Sequence, residues 1–391
     1  MEHEKSVTIN VKKVYFLIFF SFGGLFPLLS VYLRNEVGLS GTEIGTIMSI
    51  GPIMMIFAQP IWGIVSDYTQ KPRELLTGAM VVTGTVGLLY LVFTDYVAFI
   101  IIAALVALFQ GAIVPISDSI TFNYVQAKGG DYGSIRLWGA AGFAIAVLLM
   151  GSFSDLFGLS IIFYCFTLSL WLCAYFSRKM PKEGRLPKVD LKQGVKKLLA
   201  SKQFILFMLA TFFVFGPIFA NNFYFGMLIQ DVGGTLTGVG FAFLLAAGSE
   251  VPFMRWAGRW IERVGLLEIL LIAAFVSSLR WFFYYFEPTP IVIYVTTVAQ
   301  GFSIGLFIPA ALQYVRQIAP QDVRVTAVSF YSAVGQGIGA SFCTLMAGFL
   351  LDSYDIFTVY LLFGILTMLG VLTLLVLLLI KAKSEKLESK S

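Results

Sequence analysis

Four ionisable residues stand well inside long apolar runs of the chain: Asp118, Arg136, Glu250 and Arg280. A charge at the centre of a bilayer costs about 2.5–3.5 kcal/mol on insertion scales, so each needs a partner, an exit or a function. Arg136 falls early in DYGSIRLWGAAGFAIAVLLMG, residues 131–151, and the stretch KGGD before it, 128–131, has two glycines suited to a tight reversal. With helices on both flanks, Asp118 and Arg136 come within about 8 Å of the same depth, where carboxylate and guanidinium can neutralise each other. A guanidinium also offers a fixed fork of donors to a hydroxyl pair or a carboxylate. The plainer alternative is that Arg136 snorkels to the surface and Asp118 merely bonds across the hairpin. Phe143, two helical turns after Arg136, lies on the same face.

Glu250, in FLLAAGSEVPFMRW, falls near mid-membrane. A carboxylate there can take up and give up a proton as its exposure changes, which is one way to couple a gradient to movement of a solute. Arg280 is the nearest candidate counter-charge, set several ångströms further toward the opposite surface; Arg255 and Arg259 on the same helix are the alternative partners. Asn221, Asn222 and Tyr224 lie in FGPIFANNFYFGM. The two amides point about 100° apart, so at least one can face a central cavity, the alternative being packing against another helix.

Long hydrophobic helices must position these groups. Apolar residues make up 58% of the 391, charged residues 13%, and there are 38 Phe, a composition outside that of soluble domains. Twelve runs reach or approach membrane-spanning length: 12–33, 42–66, 75–94, 97–126, 132–154, 158–177, 203–230, 237–260, 265–286, 291–317, 323–351 and 356–380. The first leads through Pro27 to Leu33 and straight into more membrane sequence, unlike a cleaved signal peptide. An even count puts both termini on one side. With these spans, 25 of the 27 Lys and Arg fall on that side, leaving Arg34 and Arg280 toward the other. The positive-inside rule makes the basic side cytoplasmic and the protein a multi-pass component of the plasma membrane. Cys165, Cys173 and Cys343 all sit in apolar runs, so no disulfide framework or metal spacing is available, and neither a metal nor a cofactor is expected.

The one long polar stretch between spans is RKMPKEGRLPKVDLKQGVKKLLASK, 178–202. It divides the chain into an N-terminal six-helix bundle (1–177), a cytoplasmic linker (178–202) and a C-terminal six-helix bundle (203–391). Its Lys-rich part after Asp190 can lie on anionic headgroups or simply be a solvated tether. The halves repeat each other. Gly63 and Asp67 recur 195 residues later as Gly258 and Glu262, and Gly142, Gly151 and Asp155 recur 197 later as Gly339, Gly348 and Asp352. Parallel repeats with a site between them describe a rocking transporter.

GIVSDYTQKPR (63–73) and GRWIERVG (258–265) resemble the two copies of the loop signature of the major facilitator superfamily. QPIWGIVSD (59–67), GGLFPLLSVYL (23–33) and DYGSIRLWGAAGF (131–143) are similar to the branch with lactose permease, the nucleoside/proton symporters and the phenylpropionate permeases, the last on YG-x-x-RLWG and on Glu250 with Pro252. The resemblance implies a fold of twelve transmembrane helices in two pseudo-symmetric bundles. It implies that Arg136 grips substrate with Asp118 orienting it, that an aromatic at Phe143 stacks on the solute, and that Glu250 serves coupling with Arg280 near it. Gln300 stands where many members carry a histidine; it can hydrogen-bond a substrate but cannot titrate near neutrality. The only histidine is His3, so coupling falls to carboxylates. In the superfamily the loop cluster latches a gate, here Gly63, Asp67 and Arg73 with Gly258 and Glu262; Gly63 permits close helix approach, and Lys71 and Arg73 balance Asp67.

GQGIGA (335–340) has dinucleotide-site glycine spacing but lies inside a span with no strand before it, so it reads as close helix packing. No phosphate-binding loop motif occurs, and no nucleophile–base or metal constellation points to an enzyme. The expectation is a secondary transporter moving a small organic solute by alternating access, coupled to protons and working as a monomer. An aromatic acid stands slightly ahead of a sugar or nucleoside as substrate. Drug efflux is the alternative within transporters, and a non-transporting membrane sensor or scaffold the alternative outside them.

Overall fold

The computed structural model describes residues 2–128, 131–181 and 198–388, and the described residues are almost wholly helical, with no strand among them. In chain order the helices are α1 (Glu2–Tyr32), α2 (Gly41–Thr69), α3 (Pro72–Gly87), α4 (Tyr96–Lys128), α5 (Tyr132–Phe157), α6 (Ile161–Ser177), α7 (Lys202–Asp231), α8 (Leu236–Val264), α9 (Leu266–Tyr285) and α10 (Pro290–Ile318). Then α11 runs through Arg324–Ser332, a π-helical stretch Ala333–Gly339, and Ala340–Ser353, and α12 spans Ile356–Glu388. Among the described residues eleven helices are long and apolar enough to cross hydrocarbon, and α6 is a shorter apolar helix, so the expected series of spans is present in order.

Local sequence explains the boundaries. Ser40 and Glu43 form a reciprocal capping box at the start of α2. Asp131 caps α5, accepting from the amides of Gly133 at 3.0 Å and Ser134 at 2.9 Å. Gly265, with φ +109°, turns the chain between α8 and α9 in a conformation that side chains rarely adopt. The start of α1 differs from the expected 12: its helix begins at Glu2, because EHEKSVTIN contains neither Pro nor Gly to stop the turns from continuing upstream. Most of the expected linker, 182–197, lies outside the described residues, as do Gly129 and Gly130 of the KGGD reversal.

Large apolar side chains face outward throughout: Leu156 is 74% exposed, Leu168 62%, Val295 63% and Leu379 62%. In water such a surface would aggregate; in hydrocarbon it is ordinary.

The chain forms two compact units, Met1–Pro187 with Asn222–Leu244, and Lys188–Asn221 with Leu245–Ser391. Each is held by small residues at helix crossings, where backbones approach closely. In the first unit, a Cβ on Gly142 of α5 would collide with the backbone oxygen of Phe16 of α1, and one on Gly111 of α4 would come 2.7 Å from Ala58 of α2. In the second, a Cβ on Gly339 of α11 would come 3.0 Å from the backbone oxygen of Phe212 of α7, and one on Gly305 of α10 would come 3.0 Å from Phe253 of α8. These crossings correspond in pairs at nearly the residue shift that the sequence repeat displays. The duplication therefore preserves which helix touches which, not only which residues recur. The glycines of GQGIGA do serve packing, Gly335 against Thr211 and Phe215 and Gly339 against Gly216. The π-helical geometry there was not anticipated.

Candidate solute site and gates

In the first unit, α5 carries Arg136 one turn beyond its capped start and α4 carries Asp118 beside it. Arg136 Nη1 donates to Asp118 Oδ1 at 2.8 Å and Oδ2 at 3.0 Å. The pair is half-buried, with 40% of the arginine side chain and 32% of the aspartate side chain exposed. The expected acid–base pairing is therefore present, at a half-buried position. Among the described residues only Nη1 is engaged, which leaves the rest of the guanidinium fork for another acceptor.

Two further side chains complete the arrangement. Tyr15 on α1 donates its hydroxyl to Asp118 Oδ1 at 2.6 Å. The Arg136 guanidinium lies 5.1 Å from the ring centre of Phe19 and 5.9 Å from that of Tyr15, within cation–π range. Glycine makes this possible. A Cβ on Gly139 would strike the Phe19 ring at 2.6 Å, and Gly142 lies on the backbone of Phe16, so α1 can press its aromatics against the arginine helix. Sequence reasoning missed Tyr15 and Phe19; the available signal was their four-residue spacing, which puts both on one face of α1. Phe143, the expected aromatic, instead meets Phe243 edge to face at 6.1 Å.

The same unit contains a polar cluster at the opposite end from the capped start of α5. Arg34 donates to Asp231 at 2.9 and 3.1 Å, and Asn35 to Gln230 at 3.1 Å. Asp155, at the end of α5, accepts from the amides of Leu236 at 3.2 Å and Thr237 at 2.8 Å and from the Thr237 hydroxyl at 2.7 Å, capping the start of α8. Ser30 donates to the backbone oxygen of Phe223. The repeat had singled out Asp155 without assigning it this cap. Tyr224 is wholly buried here.

In the second unit Arg280 is 4% exposed and donates to Gln300 Oε1 at 2.6 Å, with its guanidinium 3.8 Å over the Trp281 ring. Asn221 is wholly buried and accepts from the Tyr360 hydroxyl at 2.8 Å; Asn222, which belongs to the first unit, is half-buried. Trp281 and Tyr360, 5.6 Å apart between ring centres, were not foreseen: aromatics this frequent carry no positional signal. Glu250 is half-buried and makes no hydrogen bond or ion pair with a described residue, so neither Arg280 nor Arg255 nor Arg259 engages it. Its helix packs tightly, however: a Cβ on Gly301 would approach Glu250 N at 2.7 Å, which sets Glu250 one residue along α10 from the level of Gln300.

Of the loop residues, Arg73 meets Glu74 at 3.2 Å, and Asp67 has no side-chain partner among the described residues. A Cβ on Gly258 would meet nothing within 4 Å. Gly63 lies in α2 beside an exposed Ile64. Glu262 helps line a cavity of about 440 Å³ with Gln203, Gln313, Tyr314, Gln317 and Lys381. No cluster of three or more His, Cys, Asp or Glu suited to a metal occurs among the described residues.

Known proteins resemble this chain in sequence and in fold. Residues 8–362 match the MFS_1 like family. The chain is 52% identical over 348 residues to a maltose permease of Geobacillus stearothermophilus, covering 89% of this chain and 88% of that one. It is 25% identical over 346 residues to a probable 3-phenylpropionic acid transporter of Escherichia coli, covering 86% and 89%. A solved structure of the nucleoside transporter NupG superposes with a TM-score of 0.86 over 95% of this chain and 99% of that one, at 15% identity, a likeness of fold. A transporter fold, permease relatives and a match over most of the length converge: the chain belongs to the MFS_1 like family, and it is a multi-pass secondary transporter rather than an enzyme.

Proposed function

We propose that the chain imports a maltose-class disaccharide together with protons, working as a monomer in the plasma membrane with its basic end in the cytoplasm. The observation that carries the substrate reading is the Arg136 fork, held by Asp118 and backed by the rings of Phe19 and Tyr15. Sugars offer paired hydroxyls for a bidentate donor and apolar ring faces for an aromatic, and this site supplies both within one unit. An aromatic acid would use the fork as well. The 52% identity to a maltose permease, against 25% to a probable 3-phenylpropionic acid transporter, favours the sugar.

In this reading Asn222, Tyr224 and Phe143 shape the solute site from other helices of the same unit, and Glu250 is the main proton carrier. Glu250 lacks a fixed counter-charge among the described residues and is partly exposed, so its proton can follow changes in access. Asp118, already pledged to Arg136 and Tyr15, is the second carboxylate. Arg280 remains a fixed positive charge, since a guanidinium does not deprotonate. The cluster of Arg34, Asp155 and Asp231 acts as a latch on the outer end, and Asp67, Arg73, Glu262 and the glycines Gly63 and Gly258 act at the cytoplasmic gate.

The test is entry of labelled maltose into proteoliposomes with and without an imposed inward proton gradient. Accumulation above the external concentration, abolished in Glu250→Gln while solute exchange persists, is expected. Failure of maltose to enter sinks the substrate reading. Entry that ignores the gradient sinks the coupling.

A further inference from the structure

The second unit holds a positive charge that nothing there balances. Arg280 is 4% exposed, and no carboxylate among the described residues lies within ion-pair distance of it. Its visible compensation comes from neutral groups alone: Gln300 Oε1 at 2.6 Å, the face of Trp281 at 3.8 Å and the Tyr284 side chain, whose ring centre lies 5.6 Å away. A neutral amide and a ring quadrupole return less than a guanidinium loses on leaving water, and deprotonation is closed to arginine. The surroundings are equally short of acceptors. Arg280 Nε, Trp281 Nε1 and Asn221 Nδ2 are all buried donors with no partner, whereas the neighbouring acceptors Gln300 Oε1 and Asn221 Oδ1 are already taken.

A buried cluster with surplus N–H donors and one surplus positive charge has the chemistry of an anion site. Arg280, Trp281, Asn221, Gln300 and Tyr360 are all 6% exposed or less, so any ligand there must be compact and shed its water. We infer that this cluster binds a small monovalent anion of the chloride type, held by Arg280 and the indole N–H of Trp281. Bound there, the anion neutralises the guanidinium and fixes the packing of α9 against α10. The inference concerns a site separate from Arg136 and stands whether or not maltose is the solute.

The experiment uses the purified full chain in detergent, without sugar, exchanging sodium gluconate for sodium chloride at constant ionic strength. Wild type is expected to bind labelled chloride at one saturable site per chain and to show a saturable rise in Tm over the same concentrations. Arg280→Gln is expected to lose both responses and, free of an unpaired charge, to be no less stable than wild type in gluconate. Trp281→Phe stays aromatic but is smaller and removes one donor; it is expected to weaken chloride binding several-fold. The carboxylate of Glu250 is the competing source of negative charge. Were it the counter-ion, wild type would ignore chloride and Glu250→Gln would acquire the response, which overturns the inference. Chloride binding that survives Arg280→Gln unchanged also overturns it.

Discussion

Removing the Asp118 carboxylate should damage the first unit more than loss of an ordinary surface ion pair. Asp118 accepts two contacts from Arg136, at 2.8 and 3.0 Å, and one from Tyr15 at 2.6 Å. Fully exposed pairs couple by about 0.2–1 kcal/mol, and breaking a fully buried pair costs about 3–5 kcal/mol. With side chains 40% and 32% exposed, this pair lies between those limits, and a coupling of about 2 kcal/mol is expected. The assay is a double-mutant cycle of Asp118→Asn and Arg136→Gln, each variant unfolded in detergent under one set of conditions. The single variants should each lose more than half of that amount, and the double variant should lose much less than their sum. Additive losses would refute the reasoning, because they would mean that acid and base ignore each other and that Arg136 depends on solvent alone.

Other outcomes follow from the same geometry. Tyr15→Phe removes a charge-assisted hydrogen bond and should cost about 1–2 kcal/mol in the same unfolding assay, with solute affinity falling because Asp118 is less firmly held. Gly142→Ala places a methyl against the backbone of Phe16 and should cost about 1–3 kcal/mol or abolish expression of folded protein, whereas Gly258→Ala, in open space, should be neutral in stability. Asp155→Ala strips the cap from α8 and should cost about 1 kcal/mol in thermal unfolding, with Asp155→Asn retaining part of it. For Glu250→Gln, uptake should lose its dependence on external pH while counterflow at equal pH on both sides persists.

The fold was legible because the bilayer imposes two simple demands, apolar length and satisfied backbone, and the chain meets both without ambiguity. Even the helix contacts were partly visible: Gly142 and Gly339 stood out as a repeated pair, and each turns out to lie on a backbone oxygen, of Phe16 and of Phe212. Asp118 and Arg136 were found because charges in apolar runs are few and hairpin arithmetic fixes their depth. Tyr15 and Phe19 were not, because one aromatic among 38 Phe and 17 Tyr carries no label until a neighbouring helix is placed beside it. Arg280 shows the limit of depth arithmetic. Depth set Glu250, the nearest acid, several ångströms away and named no partner, whereas the direction of the side chain sends it to Gln300. The π-helical turn at Ala333–Gly339 is equally silent in sequence, since glycines permit it without requiring it.

The central claim is that the Arg136 fork receives the hydroxyls of a sugar. Its most direct measurement is maltose binding to purified wild type and Arg136→Gln, followed by ligand-dependent thermal stabilisation. Wild type should show a saturable rise in Tm with maltose, and Arg136→Gln, still folded, should show none. Equal stabilisation of both proteins would contradict the account, since the sugar would then be held without the guanidinium.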